Sequence, residues 1–321
     1  MIIDKTNVLV AGAGCIGTWL GARLQAAGVD VTYLGRAATQ ARLAKGLTIS
    51  GLGDPLSLAE LKVVQQADGP FDWVIVACKR TDTEALLGAI APALASQPTL
   101  IVAQNGLGAA ERVAALSGCN AQPIMVPFNL VWRGQGQLHQ GTGGQVMVPK
   151  ALGAFAHAWG AQAVEDIQGV LAGKLLLNLN NAINGLCGLP LVEELSQRGY
   201  RQVLAGAQKE ALKVFKAMGV KPAKLTGAPP ALLPYVLALP DGAFSRLAKE
   251  LLAMDSQARS SLYDDLAAGR ATEIAFLNGY VVAQGEKLGV ETPINRHLQA
   301  LVREAERAGQ CPGLGADALL P

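Results

Sequence analysis

Close to its N-terminus the chain runs Asn7-Val-Leu-Val-Ala-Gly12-Ala13-Gly14-Cys15-Ile16-Gly17. An apolar strand breaks into G-x-G-x-x-G and a helix opens behind it. Gly12 allows the tight turn out of the strand, Gly14 leaves no side chain between the backbone and a pyrophosphate, and Gly17 lets the helix pack close to the sheet. The helix N-terminus turns free N–H groups and the positive end of its dipole toward the phosphates. A glycine-rich turn in another α/β fold would carry the same letters, so the context matters. The helical run Thr18–Ala27 follows, and the strand Val29–Leu34 closes a β-α-β unit of about 30 residues. Gly12, Ala13, Gly14, Cys15, Ile16 and Gly17 are therefore the candidate cofactor loop. A helix N-terminus lowers the pKa of a thiol, but the plainer reading of Cys15 is a small residue filling the turn.

The end of the second strand selects the cofactor. An acidic residue there binds the ribose 2′-hydroxyl of NAD. This chain has Gly35-Arg36 instead, with no Asp or Glu between Asp30 and Asp54. A carboxylate would repel a 2′-phosphate, whereas a guanidinium pairs with it through two parallel hydrogen bonds. NADP is the expected cofactor. The competing reading of Arg36 is a solvated loop charge.

Strand and helix continue to alternate through the first half. Leu47–Ser50, Leu61–Val64, Phe71–Ala77, Thr99–Ala103 and Pro123–Val126 read as strands, with helices near Gln40–Lys45 and Asp82–Leu94. Strands that are apolar throughout and separated by helices imply a parallel sheet covered on both faces. The stretch from about Phe128 to Val148, rich in Gly and Gln, reads as an irregular or antiparallel excursion at the sheet edge. Beyond about Val170 helical patterns take over: Val170–Leu186, Leu191–Met218, Leu247–Ala268 and Thr272–Leu288, with the Pro-rich Gly227–Leu239 between two of them. The expected fold class is α/β, with a dinucleotide-binding domain over 1–167 and an all-helical domain over 168–321. The tail Gly309–Pro321 suggests no function.

With 321 residues, half of them hydrophobic and 16% charged, the chain can build two cores and is not disordered. A net charge of +2, without a basic run, argues against nucleic acid. The five cysteines are scattered, with no C-x-x-C pair or Cys/His cluster, so no metal site is expected. The chain enters a strand at once, without a leader-like segment, and has no long apolar run. A soluble, cytoplasmic protein is the expectation.

The second half concentrates its chemistry in Gly173-Lys174-Leu-Leu-Leu-Asn178-Leu-Asn180-Asn181-Ala182-Ile183-Asn184. At about 100° per residue, Asn178 and Asn181 fall within roughly 40° of Lys174, and Asn184 about 80° from it. Asn is a mediocre helix former and needs partners when buried. An ammonium beside a row of amides on an apolar helix reads as a site. A lysine in a cleft can protonate an oxygen that is gaining negative charge, and the amides can hold a polar substrate. The competing reading is a hydrated polar stripe. Further on, Glu273 and Asn278 sit in or beside an apolar run. Taken alone, Glu273 reads as a capping carboxylate, since Thr272 is placed to begin a helix.

Together these residues resemble the ketopantoate reductase (2-dehydropantoate 2-reductase) family over most of the chain. The markers are GAGCIG at 12–17, Gly35-Arg36, Cys78-Lys79, Gln104-Asn105-Gly106, Lys174 with Asn178, Ser260-Ser261, Thr272-Glu273-Ile274 with Asn278-Gly279, and Pro293-Ile-Asn295-Arg296. The resemblance implies a Rossmann domain followed by a helical domain of the 6-phosphogluconate dehydrogenase C-terminal type. It implies an NADP-dependent oxidoreductase of pantothenate biosynthesis that reduces the C2 ketone of a small branched 2-oxo acid. By the same resemblance Lys174 is the general acid, and Glu273 binds and orients the substrate next to the cofactor. Asn178 and Ser261 hydrogen-bond the substrate, Ser261 at its carboxylate. Asn105 lies near nicotinamide and substrate, and Arg36 and Lys79 meet the 2′-phosphate end. Glu273 beside Lys174 favours the ammonium form.

Two positions depart from the family pattern. The eighth residue after the lysine, usually Asn, is Ala182, and Asn181 takes nearly the same helical direction. A Thr/His segment often found after the strand at 123–126 is here Pro127-Phe128-Asn129. The active site is expected between the domains, where the carboxyl ends of the strands face the helices. Rival readings are the same fold acting on another small 2-oxo acid, and a noncatalytic dinucleotide-binding sensor, which would have no use for a proton donor. Nothing in the sequence fixes the oligomeric state. Helical domains of this kind often pair, so a homodimer is the assembly to look for.

Overall fold

A computed structural model describes residues 6–247 and 257–321. The chain divides into two compact units, Met1–Ile167 and Gln168–Pro321.

The first unit opens with β1 (Asn7–Ala11), α1 (Cys15–Ala26) and β2 (Asp30–Leu34), then α2 (Ala37–Leu43), β3 (Leu47–Gly51), β4 (Leu56–Leu58) and β5 (Lys62–Val64). β6 (Trp73–Val76) leads through a 3-10 turn at Arg80–Asp82 into α3 (Thr83–Ala89) and α4 (Ala91–Leu94). Next come β7 (Thr99–Val102), α5 (Ala109–Ser117), β8 (Ala121–Pro123), β9 (Leu130–Gly134), β10 (Gln137–Gln140), β11 (Met147–Pro149), α6 (Gly153–Trp159) and β12 (Gln162–Val164). Six strands form a parallel sheet in the order β5-β2-β1-β6-β7-β8. This is the doubly wound order, which reverses direction between β1 and β6, and ligands bind at the carboxyl ends of the strands at such a point. Alternate residues feed two cores. Val8, Val10 and Ile75 pack on one face of the sheet, and Leu9, Ala11, Val74 and Val76 on the other. Burial on both faces is why these strands are apolar at every position.

Several boundaries differ from the sequence reading, each for a local reason. The expected helix Asp82–Leu94 breaks at Ile90 (φ −106°, ψ 15°), just ahead of Pro92, whose ring nitrogen has no N–H to donate. The expected strand Pro123–Val126 lies earlier, at β8. Past it, Met125 leaves the sheet and exchanges two 2.9 Å backbone hydrogen bonds with Met147. The segment 128–148 is not an excursion at the edge of the main sheet. Its hairpin β9–β10 builds a separate four-stranded sheet, β4-β3-β10-β9, in which β10 pairs parallel with β3. Phe128, one of the departures from the family pattern, is buried in the core against Trp19, with ring centroids 4.8 Å apart.

The second unit is helical: α7 (Ile167–Asn178), α8 (Asn180–Cys187), α9 (Leu191–Ser196), α10 (Arg198–Ala217), α11 (Leu233–Leu237), α12 (Asp241–Leu247), α13 (Ser261–Ala267), α14 (Asn278–Leu288) and α15 (Pro293–Ala308). The pattern Val170–Leu186 is two helices meeting at Leu179, which keeps helical dihedrals and donates its N–H to Leu175 O at 3.0 Å. Leu191–Met218 breaks where Gln197 is extended (φ −94°, ψ 119°). The expected helix Leu247–Ala268 runs across 248–256, which lie outside the described residues; its last part is α13. The run from Thr272 begins as a 3-10 turn, Ile274–Phe276, and becomes α14 only after Leu277 (φ −105°, ψ −99°). The tail is not idle. Leu314 donates its N–H to Leu186 O, its carbonyl accepts from Tyr200 Oη at 3.0 Å, and Leu319 is buried.

Among the described residues no helix is long and apolar enough to cross a membrane, and no group of three or more His, Cys, Asp or Glu could hold a metal ion.

Candidate active site

The glycine loop occupies the switch point of the sheet. Gly12 has φ +100°, and a Cβ there would lie 2.7 Å from Cys78 N in the loop after β6. A Cβ on Gly17 would lie 2.2 Å from Gly12 O. Both positions therefore exclude any side chain. Gly14 is the opposite case: it is exposed, and a Cβ would meet nothing within 4 Å. The space in front of α1 is open, no acidic residue lies in its first turn, and no side chain caps it. Its first N–H groups are left for an anionic ligand. Ala13 N–H donates to Leu34 O at 3.2 Å, which ties the loop to the end of β2. Arg36 follows there, exposed, at the N-terminus of α2. These residues fit the pyrophosphate and ribose end of a nicotinamide dinucleotide. Burial pushes the Cys15 thiol up, opposing the pull of the nearby Arg42 guanidinium, so Cys15 fills the turn as a neutral thiol.

The loops after β6 and β7 are held together by Gln104, which the sequence reading named without a role, and by Arg80, which it did not name. Gln104 Nε2 donates to Cys78 O at 3.0 Å and to Thr83 Oγ1 at 2.9 Å. The buried Arg80 donates to Leu107 O at 2.9 Å. Lys79, next to it, and Asn105, next to Gln104, stay partly exposed at the carboxyl ends of the strands. In each adjacent pair one side chain turns inward to fix the loop and the other remains at the surface. Sequence alone names the polar pairs without saying which member does which.

In the second unit Lys174 and Glu273 are neighbours. Burial pushes the Lys174 ammonium down to about 8, and the Glu273 carboxylate pulls it back up. The pair acts with the expected sign, but burial is the larger effect. Glu273 stands at the N-cap position of the 3-10 turn but its side chain makes no capping hydrogen bond; Thr272 Oγ1 instead accepts from Ile274 N–H at 3.2 Å. Asn178 and Asn181 are partly exposed beyond Lys174 on α7 and α8, while Ala182 is buried. Ser261 is exposed at the first position of α13.

Asn184 and Asn278, polar residues of the same motifs, are fully buried parts of the framework. Asn278 Nδ2 donates to Asn295 Oδ1 at 3.1 Å, and Asn295 is held in turn by Glu210. Asn184 bonds Glu194, Leu189 and Ser260.

Residues 8–153 match the family model described as Ketopantoate reductase PanE/ApbA, and residues 166–306 match its C-terminal counterpart. The chain is 30% identical to the 2-dehydropantoate 2-reductase of Archaeoglobus fulgidus, over 94% of this chain and 98% of that one. A crystal structure of a PanE/ApbA family ketopantoate reductase from Ralstonia eutropha JMP134 is similar with TM-score 0.79 and 27% identity, covering 94% of this chain and 99% of that one. The fold also matches D-mandelate dehydrogenase, with TM-score 0.78 and 20% identity over 94% of this chain and 99% of that one. With both halves matched in order and a relative alike over nearly its whole length, the chain belongs to the ketopantoate reductase PanE/ApbA family.

Proposed function

We infer that this protein reduces 2-dehydropantoate to pantoate with NADPH, Lys174 serving as general acid. The observation that carries the reading is Lys174 itself. Burial lowers the pKa of its ammonium to about 8, close to a working pH, against the pull of the Glu273 carboxylate. A proton donor is most effective when its pKa lies near the operating pH. A dinucleotide sensor would have no need of it. The near-full-length likeness to a reductase of this substrate supports the same reading.

When bound, the nicotinamide supplies a hydride to the C2 carbon. Lys174 gives its proton to the ketone oxygen as negative charge builds there, so the C=O double bond becomes C–H and O–H. Lys174 is left neutral and recovers its proton from solvent. Ser261 and the amides of Asn178 and Asn181 hold the carboxylate end of the substrate. Glu273 accepts a hydrogen bond from the substrate's primary hydroxyl, and Asn105 lines the nicotinamide side. Arg36 and Lys79 take the 2′-phosphate. The deciding experiment is NADPH oxidation against a panel of 2-oxo acids.

Two results are expected. Replacing Arg36 by Ala raises KM for NADPH about 10- to 150-fold, the worth of a hydrogen bond to a charged group, and leaves NADH nearly untouched. Equal losses with both cofactors would mean that Arg36 is structural. The second concerns the hydroxyl of the substrate. 2-Oxoisovalerate lacks it and forgoes that hydrogen bond to the Glu273 carboxylate, so kcat/KM drops by about 10- to 150-fold relative to ketopantoate. Glu273→Ala erases most of that preference. Similar kcat/KM for both acids in the wild type would replace the ketopantoate assignment by a general 2-oxo acid reductase.

A further inference from the structure

The polar residue that the active-site reading leaves unused is Asn184. It lies on α8, completely buried, and every polar atom of its side chain is engaged. Oδ1 accepts from Ser260 N–H at 2.8 Å; Nδ2 donates to Glu194 Oε2 at 2.6 Å and to Leu189 O at 2.9 Å. Glu194, on α9, is also completely buried, and its Oε2 accepts from Cys187 Sγ at 3.9 Å besides the Asn184 amide. A carboxyl group so placed is costly in the interior. Its pKa is pushed up to about 7 by burial, against the pull of the Asn184 and Asn180 amides. Packing alone does not call for this arrangement, since an apolar pair of similar volume would fill the space at lower cost.

Ser260 is the far end of the chain of contacts. Its Oγ donates to Asn181 O at 3.3 Å and accepts from Tyr263 N–H at 3.2 Å, which makes it the N-cap of α13. One residue is thus fastened at its backbone by Asn184, at its side chain by α8, and to the first turn of α13. Ser261 is the next residue and the first of that helix. With Ser260 fixed at both ends, the backbone at Ser261, from which its hydroxyl projects, is held relative to α8. The same helix carries Asn181.

We propose that Asn184, held by Glu194, is a positioning residue for substrate: it locks the start of α13 to α8, so that the Ser261 hydroxyl and Asn181 meet the substrate carboxylate in one fixed geometry. The inference rests on the reading of Ser261 as a carboxylate-binding residue. Asn184 touches no substrate and acts through Ser260.

The test compares steady-state constants of folded variants with ketopantoate and NADPH varied in turn. Ser261→Ala calibrates the contact itself. Asn184→Ala is expected to raise KM for the 2-oxo acid by about tenfold, the scale of one lost hydrogen bond, with KM for NADPH unchanged and kcat falling less than KM rises. Glu194→Gln keeps an acceptor for the Asn184 amide and is expected to stay close to wild type, whereas Glu194→Ala follows Asn184→Ala. If Asn184→Ala does not fold, Ser260→Ala, which removes only the cap and the α8 contact, is expected to give the same split. If Ser261→Ala raises KM while Asn184→Ala, or Ser260→Ala in its place, behaves as wild type, the positioning role is overturned and the Ser261 contact stands. If Ser261→Ala leaves KM unchanged, the carboxylate reading itself falls and the inference falls with it. A loss in Asn184→Ala that is equal for both substrates, with Glu194→Gln equally damaged, would mean a purely structural network.

Discussion

Lys174→Ala is expected to lower kcat by about 10²–10⁴, the usual contribution of a positioned acid, while NADPH still binds. Binding survives because the glycine loop and Arg36 belong to the first unit, Met1–Ile167, and Lys174 to the second. Near-normal turnover in a folded variant would remove the lysine from the mechanism. The pH profile gives an independent check. The acid form is the active one in the reducing direction, and burial sets its pKa at about 8. Reductive kcat/KM should therefore be level below that pH and fall as pH rises through it. Glu273 raises this pKa. Glu273→Gln removes a negative charge that favours the ammonium, so the descending limb should move to lower pH. A limb that stays in place would uncouple the two residues.

How much of this was legible in the sequence depends on the range of the interaction that fixes each feature. The roles of the three glycines are local. Gly12 turns the chain, Gly17 packs against it, and Gly14 faces open space, as the spacing GAGCIG suggests. The doubly wound sheet was readable from strands apolar at every position, because both faces are covered. The second sheet was not, because β10 finds β3 across about 90 residues of sequence through backbone hydrogen bonds that carry no side-chain signature. The interruptions at Leu179 and Gln197 were missed because helix-compatible sequence runs through them without a break signal, and that at Ile90 although Pro92 follows it. In the site, the polar row on α7 and α8 was visible, but not its division of labour. Lys174 meets Glu273 about a hundred residues away, and Asn184 meets Ser260, by contacts that only the folded helical unit creates. An asparagine pointing at solvent and one bonding a buried carboxylate read alike in sequence.

Arg201 is the sharpest example of that blindness, and the next large effect is expected there. It is a charged residue on the amphipathic α10, yet it is completely buried. Its guanidinium donates to Leu237 O at 3.0 Å, Leu195 O at 2.9 Å, Ser196 O at 3.0 Å, Leu239 O at 2.9 Å and Asp241 Oδ1 at 2.7 Å, and lies 4.2 Å from the centre of the Phe244 ring. The carbonyls belong to the ends of α9 and α11, which have no helical donors of their own. One planar fork thus closes two helix termini and fixes the start of α12. Asp241 is largely exposed, so its charge is screened and adds little; the carbonyls, of which those of Leu195 and Leu237 are buried, are what Arg201 stabilises. Arg201→Met fills similar space and leaves those acceptors without partners. Leaving the buried carbonyls of Leu195 and Leu237 without partners is expected to cost about 2–6 kcal/mol, at about 1–3 kcal/mol each, or roughly 10 °C in melting temperature at about 2–4 °C per kcal/mol for a unit of this size. Arg201→Lys keeps the charge, but a compact ammonium cannot reach three segments at once, and it should recover less than half of the loss. Because the residue makes no contact in the proposed site, KM values of both variants should match wild type at temperatures where they are folded. A melting temperature within about 2 °C of wild type for Arg201→Met, a shift that corresponds to at most about 1 kcal/mol, would show that water replaces the guanidinium at those helix ends.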